Sequence, residues 1–197
     1  MPAPAVRTKS RILLWAFIAF SLLTVVAGLF LVLRAPTPQS AMIGGPFELV
    51  GPDGRKTTDK DFLGRPILVF FGYTHCPDVC PTAMFQISEI FARLEPEAKI
   101  NALFVTVDPE RDTPDVLKSY IASFDKRIIG LSGDRPAVDA AIRAYRVYAR
   151  KIPSSTGDYT MDHTALVYLM DKKGRFVAPF NIERQPTEAA AELRKYL

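Results

Sequence analysis

Pro66-Ile67-Leu68-Val69-Phe70-Phe71-Gly72-Tyr73-Thr74-His75-Cys76-Pro77-Asp78-Val79-Cys80-Pro81 is an apolar run leading into two cysteines spaced Cys-x-x-x-Cys. The unbroken apolar character of residues 66–72 is that of a strand buried on both faces, because a half-buried strand alternates with polar residues. From residue 81 onward Met84, Phe85, Ile87, Ile90, Phe91 and Leu94 recur at helical spacing, with Pro81 acceptable in a first turn and Pro96 near the stop. The cysteines therefore stand between the C-terminal end of a buried strand and the start of a helix. Two soft sulfurs in that position suit a soft metal or a disulfide, and the helix N-terminus is expected to lower the thiol pKa values.

The same alternation continues along the chain. Strand patterns at residues 100–107 and 128–131 are separated by helical ones at 113–124 and 136–145. Residues 164–170 and 175–180, joined by Asp171-Lys172-Lys173-Gly174, predict a hairpin, and residues 186–197 predict a last helix. Before the decisive stretch, residues 46–50 and Gly51-Pro52-Asp53-Gly54 read as a short strand and a tight turn. This order predicts an α/β domain of thioredoxin-like fold, a central mixed sheet flanked by helices.

At the N-terminus, residues 12–33 form an uncharged, mostly apolar run of roughly 22 residues, enough to span a bilayer as one helix. The run stays apolar up to Arg34 with no Ala-x-Ala site, which argues for an uncleaved transmembrane anchor over a signal peptide. Arg7, Lys9 and Arg11 precede it and only Arg34 closely follows, so residues 1–11 are expected in the cytoplasm and the rest outside. The tail is too short for a mitochondrial presequence, which favours a bacterial inner membrane with the domain in the periplasm. Residues 34–45 carry the proline-rich, polar composition of a spacer, and residues 46–197 the domain. The net charge of +4 is spread along the chain without a basic run, which gives no sign of nucleic-acid binding. Cys76 and Cys80 are the only cysteines, and a disulfide closing so short a loop restrains the unfolded chain little, so stability is a poor reason for the pair.

Three stretches together resemble the Sco/SenC family, membrane-anchored copper-binding proteins of cytochrome c oxidase assembly. They are residues 70–81, then Val107-Asp108-Pro109-Glu110-Arg111-Asp112-Thr113-Pro114, then Asp162-His163 ahead of a strand. Gly45-Pro46-Phe47, Asp61-Phe62-Leu63-Gly64 and Gly130-Leu131-Ser132-Gly133 also match the family pattern. The resemblance implies that Cys76, Cys80 and His163 bind one copper ion. It further implies partners in the copper-bearing subunit of cytochrome c oxidase and in a periplasmic copper donor. Ligand chemistry supports the same residues, since copper(I) favours thiolate and imidazole and accepts three donors.

Other residues near these positions have plainer readings. His75 adjoins Cys76 but is no ligand by the family pattern, Met161 reads as packing, and Asp78 as a turn or cap residue. Asp162 is the candidate to orient His163 or the cysteines through a hydrogen bond. Residues 108–114 read first as a strand end and a helix start. The competing function is thiol-disulfide exchange through Cys76 and Cys80, which would keep the oxidase cysteines reduced. Against a general thioredoxin role stand the Cys-x-x-x-Cys spacing and Met161-Asp162-His163-Thr164 where thioredoxins resemble one another in a proline.

Overall fold

The computed structural model describes residues 6–34, 43–154 and 157–197, with side chains of the first helix described at residues 15–28 and 30. The chain divides into two units, Met1–Ala41 and Met42–Leu197. The first contains helix α1, Val6–Arg34, which covers the apolar run at residues 12–33. Among the described residues no helix is long and apolar enough to cross a membrane. Most of the spacer expected at residues 34–45 lies outside the described residues.

The second unit is built on a five-stranded mixed sheet. Its strands are β3 (Ile67–Gly72), β4 (Asn101–Thr106), β5 (Ile128–Leu131), β8 (Val167–Met170) and β9 (Phe176–Pro179). Their order is β5-β4-β3-β8-β9, with β3, β4 and β5 parallel and β8 and β9 antiparallel to their neighbours. Every residue of β3 is buried, as its unbroken apolar run requires at the centre of a sheet covered on both sides. On one face Phe70 and Phe104 meet α2 (Val79–Phe91) and α3 (Pro114–Ile121), with Phe104 against Tyr120 and α5 (Pro186–Leu193) packed on α2. On the other face Phe71 packs against Tyr145, the last cap of α4 (Arg135–Ala144), and Tyr168 completes an aromatic cluster with both. The thioredoxin-like arrangement of helices on both faces is the one the sequence predicts.

Local signals place the helices. Thr113 caps α3 by accepting from the Val116 N–H, and Asp134 caps α4 by accepting from the Ala137 N–H, each with a proline in the first turn. β8 and β9 form the expected hairpin around residues 171–174. Besides α3 and α5 ending three and four residues before their expected ends, the structure differs from the sequence reading in four places. β2 (Lys56–Thr58) pairs with β1 (Glu48–Val50), and a 3-10 turn at Asp59–Phe62 follows it. α2 begins at Val79, not at Pro81. The strand expected from residue 164 begins at Val167. Finally, β6 (Ala149–Pro153) and β7 (Tyr159–His163) form a separate antiparallel hairpin that the sequence reading leaves out.

Candidate metal centre

β3 delivers the chain to the cysteine loop at the C-terminal end of the parallel strands. Val107 donates its N–H to the Gly72 carbonyl, and a turn in which the Cys76 N–H donates to the Tyr73 carbonyl brings Cys76 round to the start of α2. Cys80 sits in the first turn of that helix, and its N–H donates to the Cys76 sulfur at 3.4 Å. One of the donors a helix start leaves unpaired is thereby aimed at the Cys76 sulfur. Neither cysteine is in a disulfide; Cys76 is 9% exposed and Cys80 0%.

His163 arrives from the far end of β7, where it pairs with Ala149 of β6. Its Nε2 lies 3.7 Å from Cys80 Sγ, and its Nδ1 lies 3.1 Å from the Thr164 carbonyl. A carbonyl only accepts, so Nδ1 carries the proton and Nε2 presents its lone pair to the sulfurs. The ring is seated by two buried aromatic neighbours, Phe70 and Tyr73, each perpendicular to it at 6.2 and 5.8 Å between centroids. Cys76, Cys80 and His163 thus place one donor atom each within 4.8 Å of one another, a group that can hold a metal ion. An open cleft of about 480 Å³ reaches Cys76 and His163 past Pro77, Val79 and Met161, with Cys80 behind them.

Of the minor candidates, His75 is exposed, with Nδ1 3.1 Å from the Thr74 hydroxyl, and stands outside the donor group. Asp78 is the N-cap residue of α2, and Met161 is buried in the cleft wall. Asp162 is exposed, and the Thr164 carbonyl takes the orienting role expected of it. The expected lowering of the thiol pKa values fails at Cys80. Burial pushes that thiol up, with Cys76 and Asp112 adding to the push and the Tyr73 backbone opposing it. Cys80 lies in the first turn of α2 but wholly in the core, so loss of hydration outweighs the helix terminus.

Two contributors have roles that the sequence reading did not assign. One is Gly72: a Cβ there would lie 2.8 Å from Cys80 Sγ, 2.9 Å from Phe70 Cε1 and 3.0 Å from Phe104 Cε2. The strand must end in a residue without a side chain for the sulfur to rest against it. Gly72→Ala is therefore expected to destabilise the domain by about 1–3 kcal/mol, the cost of overpacking a full core, and to weaken metal binding by displacing Cys80. Thermal unfolding and a copper titration of the variant check this, and unchanged values in both would show that α2 shifts without cost.

The other is the stretch 108–112. Asp112, fully buried, accepts from the Thr74 N–H at 3.0 Å, the Thr74 hydroxyl at 2.6 Å and the Thr106 hydroxyl at 2.7 Å, and so fixes the loop two residues before Cys76. Asp108, equally buried, pairs with Arg111 and accepts from the Tyr159 hydroxyl at 2.9 Å. The signal for these roles was present as acidic residues at the end of a buried strand, where a carboxylate must find donors.

Comparison with known proteins follows the same lines. The family model described as SCO1/SenC matches residues 35–197. The human mitochondrial protein named SCO1 homolog is 38% identical over 160 residues, covering 79% of this chain and 53% of its own length. The chain thus spans about half of that relative. The SCO2-like protein of Rickettsia prowazekii is 35% identical over 181 residues, covering 84% of this chain and 88% of its own. Among solved structures, ScoI of Bradyrhizobium japonicum with copper bound is 58% identical, with a TM-score of 0.76 over 79% of this chain and 99% of the other. By sequence, by fold and by the donors gathered at the end of β3, the chain belongs to the SCO1/SenC family.

Proposed function

We propose that this chain is a membrane-anchored metallochaperone that holds one copper ion on Cys76, Cys80 and His163 and helps assemble the dinuclear copper centre of cytochrome c oxidase. The observation that carries the proposal is the convergence of two thiols and an imidazole within 4.8 Å. Thiolates select copper(I), and imidazole suits copper in both oxidation states. The relative from B. japonicum was solved with copper bound. Cys80 forms the floor of the site and Cys76 and His163 its rim on the open cleft, so donors of a partner have access to the ion from one side. Ligand-by-ligand exchange with a periplasmic copper donor and with the copper-bearing oxidase subunit would use that side.

The apolar run at residues 12–33 supports the anchor. Within α1, Trp15, Phe17, Phe20, Leu22 and Leu23 are exposed. A helix apolar on every side needs a core or a membrane to cover it. The lysine and arginines before the run favour residues 1–11 on the cytoplasmic side, with the domain across the membrane in the periplasm of a bacterial cell.

The test is an anaerobic copper(I) titration of the reduced chain in detergent against a competing chelator. One ion bound tightly per chain is the expected result, and weak binding would overturn the proposal. A second reading, thiol-disulfide exchange on the oxidase cysteines, is favoured by the two free thiols and by Cys76 as the accessible member of the pair. Reduction of a model disulfide by a chain that binds copper weakly would establish it.

A further inference from the structure

Cys76 and Cys80 are fixed to the core through β3 and α2, whereas His163 rides on a hairpin outside the main sheet whose strand β6 is largely exposed. Some contact must therefore set the distance between the two halves of the site. The geometry points to the stretch 108–112 as a two-armed brace that sets this distance, with Tyr159 the point at which it grips the histidine strand. The inference rests on the copper reading only for its functional meaning; the brace itself is a matter of geometry.

One arm is Asp112, whose carboxylate holds both the N–H and the hydroxyl of Thr74 in the cysteine loop. The other arm is Asp108 with Arg111. Asp108 accepts from the Tyr159 hydroxyl at 2.9 Å, Arg111 donates to the Tyr159 carbonyl at 3.1 Å, and the guanidinium stacks 3.7 Å over the Tyr159 ring. Tyr159 is thus held by backbone, ring and hydroxyl at once. The stretch between the arms is itself fixed, because the Asp108 N–H donates to the Thr106 hydroxyl and Ser132 donates to the Asp112 carbonyl.

Tyr159, Met161 and His163 alternate along β7 and so share one face of the strand. An extended strand is stiff, so fixing residue 159 positions residue 163 about 13 Å further on. A second line of contact runs alongside. Arg111 stands 5.7 Å from the centre of the Tyr73 ring, and that ring meets His163 edge to face. Asp108 and Arg111 are thus positioning residues for His163, and Asp112 is one for the cysteines.

Tyr159→Phe tests the brace, since it keeps the ring and the carbonyl and removes only the hydroxyl that Asp108 holds. In the metal-free protein the His163 ring signals in NMR carry the ring-current shifts of Phe70 and Tyr73. These are expected to move toward unstructured values in the variant; unchanged signals would overturn the proposal whether or not the protein binds copper. In the copper-loaded protein the variant is expected to weaken copper(II) binding, by no more than the about 10–100-fold that losing a partner bonded directly to a ligand costs. Introduced into His163→Ala, the same change is expected to have no further effect on affinity. An equal loss in both backgrounds would mean a general structural role and would also overturn it. Should the wild-type chain bind no copper while the His163 signals still move, the copper reading fails and the brace stands.

Discussion

His163→Ala is expected to lower copper(II) affinity by more than about 100-fold, since loss of a contact that merely supports a ligand already costs about 10–100-fold. The loss for copper(I) is expected to be smaller, because two thiolates alone satisfy a soft ion that tolerates few donors. Copper(II) prefers nitrogen and oxygen donors in a larger set and is left with two sulfurs. The fold should survive. His163 is half-buried at a hairpin end, and its two perpendicular aromatic contacts are each worth about 0.5–1.5 kcal/mol. Parallel titrations with copper(I) under anaerobic conditions and with copper(II), followed by electron paramagnetic resonance, check both expectations. Unchanged affinity for both ions would remove His163 from the ligand set. The same variant separates the two functional readings, because reduction of a model disulfide by Cys76 and Cys80 does not need the imidazole.

The residues of this site differ in how openly the sequence announces them. β3 and the cysteine loop were legible because a strand buried on both faces has no polar residue to blur its pattern, and because Pro81 and the helical spacing after it mark the turn into α2. The β6–β7 hairpin was not legible. Most of its side chains face solvent, so no apolar alternation marks it, and only the turn-forming residues of its connection hinted at a reversal. His163 does stand ahead of a strand, β8, as the sequence reading has it, but that it also ends β7 was missed. The residues after it leave the strand because the Thr164 N–H and hydroxyl turn to Tyr148 instead of to β3. The burial of Cys80 was not legible either, and it has the larger chemical effect, since loss of hydration outweighs the helix end for that thiol. At Asp108 and Asp112 acidic residues ending a buried strand signalled a need for donors, but not that Thr74 and Tyr159 would supply them, and no local pattern reports the approach of Cys80 to Gly72.

Asp112 is where the largest effect on stability is expected. In Asp112→Ala the Thr74 N–H, the Thr74 hydroxyl and the Thr106 hydroxyl all lose their acceptor, Thr106 in a fully buried position. At about 1–3 kcal/mol for each buried group left unpaired, and with water able to reach half-exposed Thr74, the total is about 3 kcal/mol. For a domain of this size that corresponds to a fall of roughly 6–12 °C in Tm. Asp112→Asn is expected to be mild, because each group can still be satisfied. The amide oxygen can accept from the Thr74 N–H and the Thr106 hydroxyl, and the amide nitrogen can donate to the Thr74 hydroxyl, which can accept as well as donate. The two variants also differ in their dependence on pH. Burial pushes the Asp112 carboxyl above the ordinary carboxylate range, with Asp108 adding to the push and the three donors opposing it. A carboxyl that holds its proton more tightly when folded contributes stability in full below its unfolded pKa and loses it as pH rises through the folded value. At neutral pH the charge is therefore a cost that asparagine avoids. Thermal unfolding of wild type and both variants at neutral and mildly acid pH decides the matter: Asp112→Asn should gain on wild type as pH rises, while Asp112→Ala stays well below both. If asparagine proved as damaging as alanine, the charge itself would be what the cysteine loop requires.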